Sequence, residues 1–132
     1  MALRVEFDPP TKTLLLRFEG PLTDNSIAEF YRVIRQYWTA ADASMGIVDF
    51  SSVTEFALSS NLIGRLAKQE PCMPDAATRP RVIVAPKTHV FGLARMFQIM
   101  GETSRPLLTV VHTMREALEA LGVQSPHFEP LE

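Results

Sequence analysis

Apolar and polar residues alternate over residues 3–7, which is the pattern of a β-strand with one face on a core. A Pro-containing turn at 8–12 separates this strand from a second apolar strand at 13–18. Because the two strands are so close in the chain, we predict that they pair as an antiparallel hairpin. Gly20 and Pro21 are predicted to end the second strand.

Helical periodicity begins after this hairpin. Apolar residues recur at the spacing of an amphipathic helix from Ile27 to Trp38, and Ser26 with Glu29 matches a capping box. A continuous apolar run at 45–50 then predicts a third strand, buried on both faces or placed centrally in a sheet. The spacing of apolar residues up to position 50 therefore predicts two strands, then a helix, then a third strand.

Helix and strand continue to alternate along the rest of the chain. Apolar spacing over 58–67 predicts a second helix that Pro71 and Pro74 end, and residues 75–80 read as a loop. The remaining predicted elements are a strand at 81–85, a helix from Val90 to near Gly101, a strand at 107–111, and a helix begun by a Thr113/Glu116 capping box and ended by Gly122.

The predicted element order, β-β-α-β-α-β-α-β-α, defines an α/β fold class. Strands that alternate with helices form parallel crossovers, so we predict a single-domain mixed, mainly parallel five-stranded sheet with about four helices. The first strand is expected to be antiparallel and at an edge. Residues 1–124 are assigned to the domain and 125–132 to a C-terminal tail, of which 131–132 are interpreted as a cloning remnant.

Composition and charge narrow the class of partners. The chain of 132 residues has a formal net charge of −2, and its Lys and Arg residues are scattered, so nucleic acid is not expected as a partner. A single cysteine, Cys72, excludes an intrachain disulfide and a cysteine-based metal cluster. No apolar run predicts a membrane span or a signal peptide, and the expected location is the cytoplasm.

Hydroxyl and amide side chains cluster where the third strand is expected to give way to the second helix. Ser51 and Ser52 follow the apolar strand, and Ser59, Ser60 and Asn61 open the helix. In open α/β sheets ligands and partners dock at the carboxyl ends of strands, where helix amides favour anions. These residues are therefore candidates for partner binding.

Asp49 and His89 extend this candidate site. Asp49, at the expected strand end, is positioned to act as a base, a ligand contact or a metal ligand, or alternatively to accept hydrogen bonds from the amides of Ser51 and Ser52. His89, near the start of the third helix, is expected on the same rim. Together with Ser59 or Ser60 these residues suggest a Ser/His/Asp arrangement, although no Gly-x-Ser-x-Gly motif is present. No motif for a nucleotide cofactor is present, and no cofactor or metal is predicted.

Several segments together resemble the anti-sigma factor antagonist, or STAS, fold group typified by SpoIIAA, and within it the SpoIIAA-like branch. They are residues 48–54, 59–62, 81–86, 90–96 and 115–121. The resemblance covers the element order of almost the whole chain. It implies a bacterial, non-enzymatic regulatory domain that acts through protein contacts.

The same resemblance implies a phosphoswitch at Ser59. In the antagonists an Asp-Ser-Ser/Thr-Gly-Leu motif at the start of the second helix carries the serine that a partner kinase phosphorylates. The matching serine is Ser59, whereas the motif's Asp and Gly are replaced by Leu58 and Asn61. A helix-starting serine is also an ordinary N-cap, and this interpretation of Ser59 or Ser60 competes with the phosphoswitch.

Two further functions stay open. A module that binds a small apolar ligand or lipid is the alternative, because distant relatives of this fold group carry apolar ligands and the third helix is rich in large apolar residues. An enlarged apolar pocket favours that function, whereas a filled core argues against it. A serine hydrolase is the third candidate function, after the regulatory domain and the ligand-binding module. The apolar residues Met96, Phe97, Ile99 and Met100 of the third helix either pack deeply or form an exposed patch for a partner or for a homodimer.

Overall fold

A computed structural model describes residues 2–68, 78–103 and 105–131 of the chain. These ranges contain a six-stranded mixed sheet and four helices. The elements are β1 (Ala2–Asp8), β2 (Thr13–Leu22), α1 (Asp24–Ala40), β3 (Met45–Phe56), α2 (Ser60–Lys68), β4 (Arg81–Val84), α3 (Thr88–Met100), β5 (Leu108–Val111), α4 (Met114–Leu121) and β6 (Glu129–Pro130).

The sheet has the strand order β5-β4-β3-β2-β1-β6. Each neighbouring pair from β2 to β5 is parallel, and β1 pairs antiparallel with β2, which confirms the predicted mainly parallel α/β class. The predicted count of five strands is one too low, because β6 pairs antiparallel with Glu6 and Phe7 of β1. β1 therefore lies next to the edge over these two residues, and β6 forms the edge itself.

Helices cover both faces of the sheet. Leu14 and Leu16 of β2 pack in the cluster beneath α1, whereas Leu15, which points the other way, belongs to the cluster beneath α4. Ile83 of β4 and Val110 of β5 pack with α3. The larger core layer therefore lies between the sheet and α1, α2 and α3, and the smaller one beneath α4.

The ends of α3 and α4 confirm the predictions. Thr113 is the N-cap of α4: its hydroxyl accepts from the Glu116 N–H at 3.1 Å, and the Glu116 carboxylate accepts from the Thr113 N–H at 3.1 Å. Gly122 ends the helix with a φ of 70°, a left-handed conformation that glycine adopts without steric cost. α3 ends at Met100, followed by Gly101 at its C-cap.

The predicted start of α1 is wrong by three residues. Thr23, not Ser26, is the N-cap, and Ser26 occupies the third helical position, from which its hydroxyl accepts the Thr23 N–H at 3.0 Å. Glu29 takes no part in this capping box and instead forms an ion pair with Arg32 at 2.7 Å. Thr23 and Ser26 are both good capping residues, and the earlier start places Asp24 in the first turn, where the helix dipole favours an acidic side chain.

Two predicted strand ends are also wrong. β2 continues through Gly20 and Pro21, because register shifts in its pairing with β3 and a φ of 84° at Gly20 accommodate both residues. β3 continues past Phe50 to Phe56, because Val53, which follows the two serines in the chain, is buried in the core. The polar residues after position 50 therefore lie within a strand, where they occupy exposed positions.

The C-terminal residues are bound to β1. The buried carboxylate of Asp8 accepts from the His127 N–H at 3.0 Å and from the Thr11 hydroxyl, and the Leu131 N–H donates to the Val5 carbonyl at 2.9 Å. The hydrogen bond from Thr11, assisted by that from the His127 N–H, lowers the pKa of Asp8 below its usual value, although burial acts in the opposite direction. This carboxylate links the predicted tail to the sheet.

Some predictions fall where the chain is not described. α2 is described to Lys68, so the prediction that Pro71 and Pro74 end this helix lies outside the described residues. Cys72 and residues 75–77 of the predicted loop lie outside them as well. β4 and β5 are both described, and each agrees with its predicted strand to within one residue.

Candidate functional site

The carboxyl end of β3 and the N-terminal ends of α2 and α3 lie at one edge of the core. β3 ends at Phe56, α2 begins at Ser60, and α3 begins at Thr88, just beyond the end of the neighbouring strand β4. We call residues 53–61 together with residues 87–89 the α2–α3 rim. In parallel α/β sheets this is the edge at which ligands and partners dock.

Two contacts hold the parts of the rim together. The ammonium of Lys87 donates to the Val53 carbonyl oxygen at 3.0 Å. The His89 ring meets the Phe56 ring edge to face, with the ring centroids 5.5 Å apart and the planes at 88°. The start of α3 is therefore anchored to the end of β3, while His89 itself stays exposed.

Ser59 caps α2. Its hydroxyl oxygen accepts from the Leu62 N–H at 3.2 Å, and its carbonyl accepts from the Ile63 N–H at 3.1 Å. These contacts confirm Ser59, rather than Ser60, as the capping residue. Ser59, Ser60 and Asn61 are all exposed, so the N-terminus of α2 lies at the surface.

Asp49 does not face the rim. It lies within β3 on the same face of the sheet as Ile47, which packs beneath α4. Val48 lies on the other face and packs with the cluster of α3. Its carboxylate accepts from the Ser51 N–H at 2.9 Å, from the Ser51 hydroxyl, and from Arg17 Nε at 3.1 Å. The interpretation of Asp49 as a residue that accepts hydrogen bonds from its neighbours is thus correct for Ser51.

The predicted hydroxyl cluster does not form, because the last part of β3 separates Ser51 and Ser52 from Ser59 and Ser60. Ser51 and Ser52 are exposed strand residues, and Ser52 lies opposite Glu19 of β2. Four more strand residues separate them from Ala57 and the turn to Ser59. Of the predicted site residues, the structure therefore brings Ser59, Ser60, Asn61 and His89 to the rim and leaves Ser51 and Ser52 outside it.

The Ser/His/Asp arrangement is not formed. The Ser59 hydroxyl accepts from a helix amide, the His89 ring contacts Phe56, and Asp49 is on the opposite face of the sheet. A serine nucleophile requires its base within hydrogen-bond reach and a carboxylate that orients that base. The geometry of these three residues does not meet that requirement.

Sequence reasoning missed Arg17 and Lys87. Arg17 is the one charged residue within an apolar strand segment, and that isolation is a signal that its charge has a partner on a neighbouring strand. Lys87 lies just before α3, where nothing in the sequence indicates that it reaches the Val53 carbonyl. Both contacts join residues more than thirty positions apart, 32 for Arg17 with Asp49 and 34 for Lys87 with Val53.

The apolar third helix is partly packed and partly exposed. Val90 is buried and Phe97 is half-buried against the core, so the deep-packing interpretation is correct for this part of the helix. Ile99 and Met100, at its C-terminal end, are 58% and 46% exposed, and Leu107 before β5 is 41% exposed. All three lie at element ends opposite the rim, Ile99 and Met100 at the C-terminal end of α3 and Leu107 just before β5.

A cavity of about 120 Å³ lies between the sheet and helices α1, α2 and α3. Its walls are mainly apolar and include the rings of Phe18, Phe30, Phe50 and Phe97. The core of this layer is therefore incompletely filled.

The described residues show neither a cluster of metal ligands nor a membrane-spanning helix. Within residues 2–68, 78–103 and 105–131, no group of three His, Cys, Asp or Glu side chains is placed to hold a metal ion. No helix in the same part of the chain is both long and apolar enough to cross a membrane.

Comparisons with known proteins give a likeness of structure alone. No protein-family model matches the chain, and no curated protein matches it by sequence. The unphosphorylated anti-sigma factor antagonist SpoIIAA is 16% identical, and superposes with a TM-score of 0.59 over 94% of this chain and 100% of its own. The phosphorylated form of the Bacillus cell fate determinant SpoIIAA is 19% identical, with a TM-score of 0.53 over 89% of this chain and 97% of its own. The chain therefore has the SpoIIAA fold, that of the STAS or anti-sigma factor antagonist group.

Proposed function

We propose that this protein is a non-enzymatic regulatory domain that binds a protein partner through the α2–α3 rim. The observation that carries the proposal is the capped N-terminus of α2, where Ser59, Ser60 and Asn61 are exposed. His89, exposed at the start of α3, belongs to the same rim through its contact with Phe56. The shared fold supports it, since one structure of that fold is described as an anti-sigma factor antagonist. Polar, exposed side chains on rigid elements suit a surface that recognises a partner by shape and hydrogen bonds.

Phosphorylation of Ser59 is the proposed regulation of this surface. A kinase would transfer the γ-phosphoryl group of ATP to the Ser59 oxygen, with loss of the hydroxyl proton and release of ADP. The phosphate would lie at the N-terminus of α2, where free amides and the helix dipole favour negative charge. SpoIIAA, which has the same fold, is known in a phosphorylated form. The added charge would change which partner the rim accepts.

Mass spectrometry of the protein isolated from its source cells tests the modification. We expect a fraction of the chains to carry one phosphate, and fragmentation to locate it at Ser59. Thr103, an exposed hydroxyl just beyond α3, is the internal comparison and should stay unmodified. A protein that is never phosphorylated under growth, starvation or stationary conditions contradicts the phosphoswitch.

Binding of a partner is tested with matched baits. Wild type and Thr103→Asp should capture the same specific protein, and Ser59→Asp should reduce its recovery at least tenfold or exchange it for another. Ser59→Asp retains a helix-capping side chain, so its effect reports charge at the rim rather than loss of α2. Equal capture by all three baits would place the partner surface elsewhere.

Homodimerisation through α3 is a separate proposal that the exposed apolar side chains of Ile99, Met100 and Leu107 support. Exposed apolar groups lose contact with water when two copies associate. Sedimentation analysis should then show a dimer for wild type and a monomer for Ile99→Glu. A wild-type monomer at every concentration measured contradicts the dimer.

A further inference from the structure

We propose that the cavity between the sheet and helices α1, α2 and α3 is a binding site for a small, neutral, apolar molecule, such as a single aromatic ring or a short hydrocarbon. Phe56 and Leu58 belong both to the lining of this cavity and to the α2–α3 rim, but the proposal does not depend on the function proposed for that rim. Its volume is about 120 Å³. An apolar cavity of similar size, about 150 Å³, stays free of water and binds benzene or xenon.

The arrangement of the helices produces the space. α2 packs closely on α3, which lies over β5, whereas α1 packs mainly on β2. The central strand β3 runs beneath the region between α1 on one side and the pair of α2 and α3 on the other. Val48 and Phe50 face this region and are only half-buried, although their strand has two strands on one side of it in the sheet and three on the other. Side chains at such a position are normally fully covered, so their exposure locates the unfilled volume above β3.

Aromatic rings from three elements surround the cavity. Phe18 of β2 lies 5.6 Å from Phe30 of α1 and 5.3 Å from Phe50 of β3, measured between ring centroids. These rings line the cavity while in tilted contact with one another, and a flat aromatic guest makes favourable contacts with either the edge or the face of such a ring. The lining therefore favours a ring or an unbranched chain over a compact polar molecule.

The polar side chain of Arg105 does not point to a charged ligand. Arg105 is 4% exposed and lines the cavity, but its guanidinium donates to the carbonyls of Ala67 at 3.0 Å and Leu66 at 3.3 Å. The same group lies over the Phe97 ring, 4.8 Å from its centroid. Two of its donors are thus used at the C-terminal end of α2. Arg81 is the other arginine of a lining that is otherwise mainly apolar, and this apolar lining is why we commit to a neutral ligand.

Methyl NMR of the whole chain tests the site with toluene as the probe. We expect saturable shifts confined to methyl groups that line the cavity, such as those of Ile63 and Leu93. Ala94 is buried in the same lining, and Ala94→Leu should occupy the space and weaken toluene binding at least tenfold. The matched control is Ala28→Leu on the exposed side of α1, which should bind toluene within twofold of wild type.

Several results would overturn the proposal. Shifts that do not saturate, or that spread over surface methyl groups, would show that the cavity takes no guest. Unchanged toluene affinity in Ala94→Leu would place binding elsewhere. If Ala94→Leu does not fold, Val48→Ile adds one methylene at the cavity floor and should weaken binding severalfold, so a lack of effect there also counts against the site. Benzoate bound more tightly than toluene would replace the neutral ligand class by an anionic one.

Discussion

Arg17 and Asp49 lie opposite each other on the parallel strands β2 and β3, and Arg17 Nε donates to the Asp49 carboxylate at 3.1 Å. The Asp49 side chain is 5% exposed and that of Arg17 29% exposed. Ser51 supplies two further hydrogen bonds to the same carboxylate. This group of residues fixes the pairing of two central strands just before the register shift between Arg17 and Glu19.

Asp49→Ala should destabilise the protein by about 2–4 kcal/mol, because it leaves Arg17 Nε and the Ser51 amide without their acceptor, and Glu6, 3.9 Å from the same guanidinium, is too distant to replace it. Arg4 provides the control, since its pair with Glu19 is long, at 3.6 Å, and exposed. Arg4→Ala should cost about 0–1 kcal/mol. Urea denaturation measures both, and a cost for Asp49→Ala no larger than that for Arg4→Ala would show that the buried pair is not needed.

Acid should release the C-terminal residues from β1. The pKa of Asp8 is lowered in the folded state from its usual 3.8, so its stabilising contribution is fully present above that value and is lost as the pH falls through the folded pKa. Asp8→Asn removes the carboxylate at every pH. We therefore expect the difference in unfolding free energy between wild type and Asp8→Asn to be constant near neutrality and to shrink below about pH 4. The protection factor of the His127 amide against hydrogen exchange should fall over the same range, and an unchanged difference at low pH would contradict the link.

Substitution by alanine should change the stability of the protein in opposite directions at two glycines, lowering it at Gly46 and raising it at Gly92. A Cβ at Gly46 would lie 2.9 Å from Cζ3 of the buried Trp38, so Gly46→Ala should cost about 1–3 kcal/mol through overpacking. A Cβ at Gly92 within α3 meets nothing within 4 Å. Gly92→Ala should therefore stabilise the protein by about 0.5–1 kcal/mol, since alanine favours a helix. Thermal denaturation of the pair distinguishes packing from propensity, and a neutral Gly46→Ala would indicate that Trp38 has room to move.

The capping role of Ser59 has a measurable energy. Ser59→Ala removes the acceptor for the Leu62 N–H and should cost about 1 kcal/mol. Ser60, exposed at the first helical position, is the matched control, and Ser60→Ala should change stability by less than about 0.5 kcal/mol. Equal effects of the two substitutions in chemical denaturation would mean that the Ser59 hydroxyl contributes little as a cap.

Local signals account for what was predicted correctly. The Thr113/Glu116 capping box and Gly122 define α4 because both depend on residues a few positions apart, and the structure has these contacts. Ser26 and Glu29 match the same motif and are misleading, because Thr23 competes for the N-cap position. At the candidate site, the cap formed by Ser59 is equally local and was among the predicted interpretations.

The apolar and polar pattern by itself determined the order of elements and the mainly parallel α/β class, because each depends on the period of side chains along the chain and on local start and stop residues. Only the tertiary structure decided that β3 extends through Ser51 and Ser52 and that Asp49 binds Arg17 away from the rim. It also placed β6 beside β1 and left a cavity above β3. These features arise from contacts between residues far apart in the chain, and their geometry is set by how the elements pack together.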